Sequence, residues 1–217
     1  MRLTVVDDAE RAAELAADRM AEAAAAGGHV ALAGGRTPRR AYELVGERAG
    51  IDWSRVDLWF GDERCVPPDD PESNYRLVAE TLLAHAAGAR VHAVDGRADP
   101  DVAAAAYAAE IRGVRLDLAL LGLGEDGHTA SLFPGSPALD VRDREAVAVT
   151  ASKPPPRRIT LTLPVFEAAA AIVVLAVGEG KADAVAAVLR GPDRRFPASL
   201  LPERAELLAD RAAASAL

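Results

Sequence analysis

Three side chains able to move protons lie within four positions of one another in a glycine-rich segment. Glu125, Asp126 and His128 stand in or directly after residues 122–127, whose sequence is GLGEDG, and the apolar run 116–121 precedes them. A short apolar run bounded by charge and glycine is typical of a buried strand. Imidazole suits proton transfer near neutral pH, and ligands of open α/β sheets bind beyond the carboxyl ends of strands. We therefore predict chemistry at this turn, followed by a helix over the next apolar residues.

Two other interpretations of this turn stay open. Residues 122–127 match the G-x-G-x-x-G pattern of dinucleotide-binding loops. Glu125 and Asp126, however, place two negative charges where a pyrophosphate has to approach the backbone, which disfavours that interpretation. The second alternative is a structural turn whose histidine is merely solvated. The acids and glycines around His128, at the end of a predicted strand, favour a functional site over both.

Three more predicted strands, at residues 29–33, 56–60 and 171–177, end in distinctive polar segments. These segments are Gly34-Gly35-Arg36-Thr37-Pro38, Gly61-Asp62-Glu63-Arg64 and Gly178-Glu179-Gly180-Lys181. Thr37 suits the N-cap and Pro38 the first position of a helix, and the N-terminus of a helix attracts anions. We therefore predict an anion site after the first of these strands.

Basic residues accompany these strand ends. The proline-rich connector 152–156 is held extended and presents Arg157 and Arg158 on a stiff arm. If the sheet is parallel, all four strand ends lie along one edge. Arg64, Arg158 and Lys181 can then join the helix N-terminus in a phosphate pocket beside the histidine.

Strands and helices alternate along the whole chain, with no segment long enough to be a linker. This pattern predicts one domain over residues 1–217 with a three-layer α/β/α, Rossmann-like architecture, in which an open, twisted, mostly parallel sheet carries helices on both faces. Further strands are predicted at residues 3–6, 91–94, 146–149 and 159–163. The C-terminal tail is predicted to be helical, with a short strand at residues 207–208.

Composition excludes several classes of function. A net charge of −8 and a pI near 5.1 argue against nonspecific binding to nucleic acid or to an anionic membrane. Cys65 is the single cysteine, so neither an intramolecular disulfide nor a multi-cysteine metal site is expected. No export signal is visible, and the most apolar stretch, residues 168–177, is too short to span a bilayer. A cytoplasmic location is expected.

With these motifs in order, the chain resembles the 6-phosphogluconolactonase family over nearly its whole length. The most specific block is residues 124–134 (GEDGHTASLFP), supported by residues 34–38, 59–67 with 73–75, 156–164 and 178–181. The resemblance implies hydrolysis of 6-phospho-D-glucono-1,5-lactone in the oxidative pentose phosphate pathway, without a metal or an organic cofactor. It also implies a small-molecule partner, no nucleic acid or membrane, and a monomer or small homo-oligomer.

The resemblance assigns roles that the residue types support. His128 is the general base for the attacking water, and Asp126 or Glu125 supports the imidazole. The predicted phosphate and substrate contacts are Gly34, Gly35, Arg36, Thr37, Asp62, Arg64, Arg158 and Lys181. Arg36 stands where the family usually has serine, and Arg64 is alternatively an internal partner of Asp62 or Glu63. The other histidines, His29, His85 and His92, are expected to be structural or exposed, with no polar groups arranged around them.

Two other functions compete with this interpretation. Deaminases or isomerases of glucosamine 6-phosphate resemble this family in fold and share an Asp-Gly-His turn, but they place a glutamate shortly after the histidine. This chain has Leu132-Phe133-Pro134 there, so one proton carrier is missing. A non-catalytic sugar-phosphate sensor is the third interpretation, but the chain carries no basic helix-turn-helix segment or additional domain that would serve as an output module.

Overall fold

A computed structural model describes all residues, 1–217, and contains ten strands and six α-helices. The strands are β1 (Arg2–Val6), β2 (His29–Leu32), β3 (Asp57–Phe60), β4 (Asp62–Arg64), β5 (Arg90–His92), β6 (Leu118–Gly122), β7 (Ala146–Thr150), β8 (Arg157–Leu161), β9 (Ala171–Ala176) and β10 (Glu206–Asp210). The helices are α1 (Ala9–Ala25), α2 (Arg39–Gly46), α3 (Asn74–Glu80), α4 (Pro100–Ile111), α5 (Leu163–Ala168) and α6 (Ala182–Leu189). None of these helices combines the length and the apolarity that crossing a membrane requires.

Seven strands form one sheet in the order β1-β10-β9-β6-β2-β3-β5, and every pair in it is parallel. The four strands whose ends were singled out in the sequence, β9, β6, β2 and β3, are therefore contiguous neighbours in the middle of the sheet. Because parallel strands end at the same edge, the four polar segments lie side by side.

Helices cover both faces of this sheet, as predicted for a three-layer α/β/α fold. Successive strand residues alternate between two cores: Leu118 and Leu120 of β6 pack with α1, α2 and α3, whereas Ala119 and Leu121 pack with α4, α5 and α6. This alternation follows from the two-residue period of a strand, and it explains why the strands are apolar at nearly every position.

A second, smaller sheet was not predicted. Strands β4, β8 and β7 pair antiparallel in that order, so the strands predicted at residues 146–149 and 159–163 form a hairpin outside the main sheet. Arg157 and Arg158 belong to β8 itself and are not carried on an extended arm. The three-residue β4 was missed because its sequence, Asp-Glu-Arg, has no apolar signal.

Two predicted helices are also wrong. No helix follows His128: residues 129–132 form a tight turn closed by a bridge between Thr129 and Leu132, and Ala130 has a positive φ of 48°. The tail is not helical: the short strand predicted at residues 207–208 lies within β10, a fully buried strand paired with both β1 and β9. In both places tertiary pairing outweighs the local helical preference of alanine- and leucine-rich sequence.

Candidate active site

The turn after β6 is folded tightly around His128. The Gly124 amide donates to the His128 carbonyl at 2.8 Å, and the Gly127 amide donates to the Gly124 carbonyl at 3.0 Å. A Cβ on Gly124 would lie 2.0 Å from His128 Nδ1, so the imidazole lies directly against this glycine. Gly127 has a φ of 76°, which disfavours any residue with a side chain. Gly124 thus allows close packing of the imidazole, and Gly127 allows the backbone turn before it.

Asp126 holds one ring nitrogen of His128. Its Oδ1 is in contact with His128 Nδ1 and also accepts the His128 amide at 3.2 Å. The hydrogen bond from His128 lowers the pKa of Asp126 to about 2, so the carboxylate is ionised at neutral pH. An ionised carboxylate only accepts, which places the proton of the ring on Nδ1. Nε2 has no partner in the protein and is left with a free lone pair.

Glu125 faces away from the imidazole. It makes no hydrogen bond to His128, and its Oε1 lies 3.6 Å from the position that a Cβ on Gly180 would occupy. The carboxylate therefore lies beside the turn that follows β9. Of the two acids that the sequence offered as support for the histidine, only Asp126 contacts the ring.

The glycine-rich loop after β2 presents free backbone donors. The amides of Gly34, Gly35, Arg36 and Thr37 donate to no group in the protein, and Gly35 has a φ of 84°. The hydroxyl of Tyr42 donates to the Ala33 carbonyl at 2.7 Å, which fixes the start of the loop. Helix α2 follows with Pro38 at its N-cap, one residue later than predicted. Free amides at a helix N-terminus form an anion-binding geometry.

Two cations of this edge have no carboxylate partner. The side chain of Arg36 is exposed and makes no hydrogen bond or ion pair within the protein. Lys181, at the end of a 3-10 turn (Glu179–Lys181) after β9, is half-buried and has no carboxylate within 4.0 Å. Both charges are therefore available to an anionic ligand.

Arg64 and Arg158 stand opposite each other in the β4–β8 pairing. The Arg64 guanidinium donates to the Glu72 carbonyl and forms an ion pair with the Glu72 carboxylate at 4.0 Å, and it does not pair with Asp62 or Glu63 as considered from the sequence. Its Nε is buried without a partner. Arg158 is only 8% exposed, and burial lowers the pKa of its guanidinium. Two adjacent cations with incomplete hydrogen bonding favour an anion between or beside them.

Phe133 connects the histidine to this arginine pair. Its ring centroid lies 4.8 Å from that of His128, and the guanidinium carbon of Arg158 lies 5.7 Å from the same ring. The imidazole and the guanidinium thus contact one aromatic ring. The sequence offered no separate signal for this role, because Phe133 stood in the segment that was predicted to be a helix.

Asp62 is placed differently from the other predicted contacts. It is 7% exposed, and its carboxylate accepts hydrogen bonds from the Ser131 hydroxyl and from Asn74 Nδ2. Neither partner was singled out as a functional residue from the sequence. A third missed residue is Asp210, whose carboxylate accepts the Gly178 amide at 3.0 Å and so fixes the turn before Lys181. That residue was hidden because the tail was predicted to be helical.

A groove of about 1310 Å³ lies on another side of the turn after β6. Asp126 and Phe133 reach it, but its walls are α4, β7 and residues 133–138. His128, Arg158 and Lys181 do not line it. The imidazole of His128 and the side chains of Arg158 and Lys181 therefore lie at the sheet edge and outside this groove.

Known proteins resemble this chain in sequence and in fold. Residues 5–209 match the family model of glucosamine-6-phosphate isomerases/6-phosphogluconolactonase. A 6-phosphogluconolactonase of Streptomyces coelicolor is 42% identical, over 100% of this chain and 94% of its own length.

Solved structures extend the comparison. The crystal structure of a 6-phosphogluconolactonase from Shewanella baltica superposes with a TM-score of 0.88 at 26% identity, covering 97% of both chains. A monomeric glucosamine-6-phosphate deaminase reaches the same TM-score of 0.88 at 22% identity, covering 100% of both chains, and so shows the fold alone. The chain belongs to the glucosamine-6-phosphate isomerase/6-phosphogluconolactonase family.

Proposed function

We propose that this protein hydrolyses 6-phospho-D-glucono-1,5-lactone to 6-phospho-D-gluconate. The observation that carries the proposal is the asymmetry of His128, whose Nδ1 is held by ionised Asp126 while Nε2 is free. The free nitrogen lies at the same sheet edge as unpaired cations and free amides. A base beside an anion site suits a substrate that carries both an ester and a phosphate.

In the proposed reaction, His128 Nε2 takes a proton from water as the water oxygen attacks the lactone carbonyl carbon. Asp126 stabilises the imidazolium that forms and keeps the ring oriented. As the tetrahedral intermediate collapses, the bond from the carbonyl carbon to the ring oxygen breaks and Nε2 returns the proton to that oxygen. The products are a carboxylate and a hydroxyl group, and one proton is released to solvent.

The phosphate is assigned to the cationic part of the edge. The free amides of Gly34, Gly35, Arg36 and Thr37 supply hydrogen-bond donors, and the side chains of Arg36, Arg64, Arg158 and Lys181 supply charge. Arg36 replaces the serine usual in the family with a guanidinium, which attracts the anion without a hydroxyl contact. In a chain of net charge −8, such a local concentration of cations is required to attract an anionic substrate.

Direct attack by water is favoured over a covalent intermediate. The hydroxyls nearest to His128 in sequence are already engaged: Thr129 donates to the Gly122 carbonyl at 2.9 Å, and Ser131 donates to Asp62. Cys65 makes no contact with the imidazole, and burial raises the pKa of its thiol, which disfavours the nucleophilic thiolate. No side chain is thus poised as a nucleophile activated by His128.

Deamination of glucosamine 6-phosphate is the second candidate, because the shared fold and phosphate chemistry favour it. That chemistry moves protons between sugar carbons and needs a further carboxylate after the histidine. Here Leu132 is fully buried and Phe133 packs on the imidazole, so no acid occupies this place. The residues at the turn therefore favour the lactonase.

The test is a hydrolysis assay on the purified protein, corrected for the spontaneous opening of the lactone. Turnover of 6-phosphogluconolactone with none of glucosamine 6-phosphate is expected. Binding of both sugar phosphates without turnover of either would support a non-catalytic sensor and contradict the proposal. A single domain and a location in the cytoplasm remain our predictions.

A further inference from the structure

A buried polar network centred on Asp62 lies beneath the candidate active site. The Asp62 carboxylate accepts from Ser131 Oγ and from Asn74 Nδ2, the latter at 3.2 Å, and the Asp62 carbonyl accepts from the same Asn74 nitrogen at 2.7 Å. Asn74 and Ser131 are 1% and 0% exposed. None of these three side chains is free to serve as a surface contact for substrate, so their contribution has to be indirect.

Asn74 connects the network to the glycine-rich loop. Because both of its amide hydrogens are engaged by Asp62, the orientation of the carboxamide is fixed, and Oδ1 has no hydrogen-bond partner. A Cβ on Gly34 would lie 1.9 Å from this Oδ1, so the carboxamide lies flat against Gly34. A buried acceptor without a partner costs about 1–3 kcal/mol, so the protein keeps Asn74 in this orientation beside the loop at an energetic cost.

Ser131 connects the network to the catalytic turn. It lies three residues after His128, and its own amide donates to Thr160 Oγ1 at 3.3 Å. Ala130, directly before it, is held at a positive φ of 48°. A non-glycine residue keeps such a conformation only where its surroundings impose it. The Ser131–Asp62 hydrogen bond is one such constraint on the turn.

The main sheet does not hold these two loops together by itself. Strands β2 and β6, which carry them, pair over only two positions, Val30 with Leu118 and Ala31 with Ala119. Beyond those positions β2 and β6 do not pair with each other and lead into the glycine-rich loop and the catalytic turn. The polar network spans this gap.

We propose that Asp62, Asn74 and Ser131 are positioning residues that fix the separation between the phosphate-binding loop and the imidazole. The inference rests on the proposed function and deepens it, because a fixed separation selects lactones whose phosphate and carbonyl are the matching distance apart. Small misplacements of reacting groups are costly to catalysis. Asn74 sets the phosphate end of this distance, and Ser131 sets the catalytic end.

The two ends are separable by steady-state kinetics on 6-phosphogluconolactone. Asn74→Ala is expected to raise KM on the order of tenfold with kcat nearly unchanged, whereas Ser131→Ala lowers kcat on the order of tenfold with KM nearly unchanged. The matched control is Thr81→Val, which removes a buried hydroxyl bonded to Leu77 at the other end of α3. That variant is expected to lose thermal stability and to keep both kinetic constants.

Gly34→Ala perturbs the contact between Gly34 and Asn74 from the loop side. It provides the test if Asn74→Ala does not fold. Gly34 has an ordinary φ, so the added methyl is opposed by Asn74 and not by backbone strain. Gly34→Ala is expected to raise KM, and combining it with Asn74→Ala is expected to raise KM no further than the more severe single variant does.

The outcomes separate this inference from the proposed function. An inactive wild-type protein would overturn the proposed function and this inference with it. An active wild-type enzyme in which Asn74→Ala and Ser131→Ala change kcat and KM alike, or in which the Gly34 and Asn74 effects multiply, would overturn the positioning role alone.

Discussion

Two histidines in this protein contact carboxylates at opposite edges of the same sheet. His128 follows the carboxyl end of β6, whereas His92 ends β5 opposite Trp59 and its ring reaches Asp57 at the amino end of β3. Their side chains are almost equally exposed, at 23% and 20%. Burial therefore does not distinguish them.

The ring nitrogens distinguish them. His92 Nε2 lies 2.8 Å from Asp57 Oδ1 and Nδ1 lies 2.6 Å from Glu110 Oε1, so both nitrogens donate to carboxylates. The His92 ring stacks on Trp59, with the ring centroids 3.7 Å apart. His128 has one carboxylate and one free nitrogen. An imidazole whose two nitrogens both donate to carboxylates has no lone pair to accept a proton. The same residue types therefore form a structural contact around His92 and a base at His128.

The largest effect is expected from replacing the two histidines in parallel. His128→Gln should lower kcat for the lactone on the order of 10²- to 10⁴-fold, because the base is lost. His92→Gln should leave kcat within about twofold and lower the melting temperature, because it removes two carboxylate contacts. Steady-state assays and thermal unfolding of both variants check this. Equal kinetic losses in the two variants would remove the distinction between the sites.

Replacing the carboxylate that holds His128 is also expected to lower activity. Asp126→Asn is expected to lower kcat on the order of 10²-fold, because an amide no longer enforces the proton on Nδ1. The affinity for 6-phosphogluconate, measured by calorimetry, should stay the same. A variant that keeps wild-type kcat would show that the contact between Asp126 and His128 has no role in the reaction.

Lys181→Ala is expected to raise KM for the lactone on the order of tenfold with little change in kcat, because an unpaired cation is lost from the phosphate site. Arg90→Ala is the comparison at the opposite edge, since that guanidinium is already bound to Asp57. It should leave KM unchanged. The effect of Lys181 should also shrink as ionic strength rises. A KM that is insensitive to Lys181 at low salt would count against its assignment.

The smallest effect is expected on the free energy of unfolding, and on its pH dependence, through Asp57 at the amino end of β3. The hydrogen bonds from Arg90 first, and from His92, lower the pKa of Asp57 from its ordinary value of 3.8 to about 2. A lowered pKa stabilises the folded state above the ordinary value, and that contribution is lost as the pH falls towards the folded value. Asp57→Asn should therefore cost about 2 kcal/mol at pH 7.

Denaturant unfolding across pH measures this. The difference in unfolding free energy between wild type and Asp57→Asn is expected to narrow as the pH falls from about 4 to about 2, the window between the two pKa values. A difference that persists unchanged through that window would mean that packing, and not the charge of Asp57, carries the effect.

The sequence predicts the main sheet well because its strands are apolar runs bounded by glycine. Strands β2, β3, β6 and β9, and the polar segments that follow them, could be located from that pattern, and parallel pairing then brings those segments together. The parts that failed lack a local signal. Strand β4 is three charged or polar residues, and the turn after His128 is apolar sequence held in a non-helical shape by Asp62 and Thr160.

The same limit applies to the side-chain networks. His92 was expected to have no polar groups around it, which is wrong, because Asp57 and Glu110 lie 35 and 18 positions away in the chain. The contacts of Asn74 and Ser131 with Asp62 were missed in the same way, because these partners lie 12 and 69 positions away from Asp62 in the chain. Long-range hydrogen bonds follow from strand order and register, which short-range spacing does not encode.

The role of His128 as the base depends most directly on which of its two ring nitrogens carries a proton. Nitrogen-15 NMR of the wild-type enzyme, at a pH where it hydrolyses the lactone, reports which nitrogen carries a proton. We predict a protonated Nδ1 and an unprotonated Nε2 for His128, and two protonated nitrogens for His92. A proton on Nε2 of His128 in the active enzyme would contradict its role as the base.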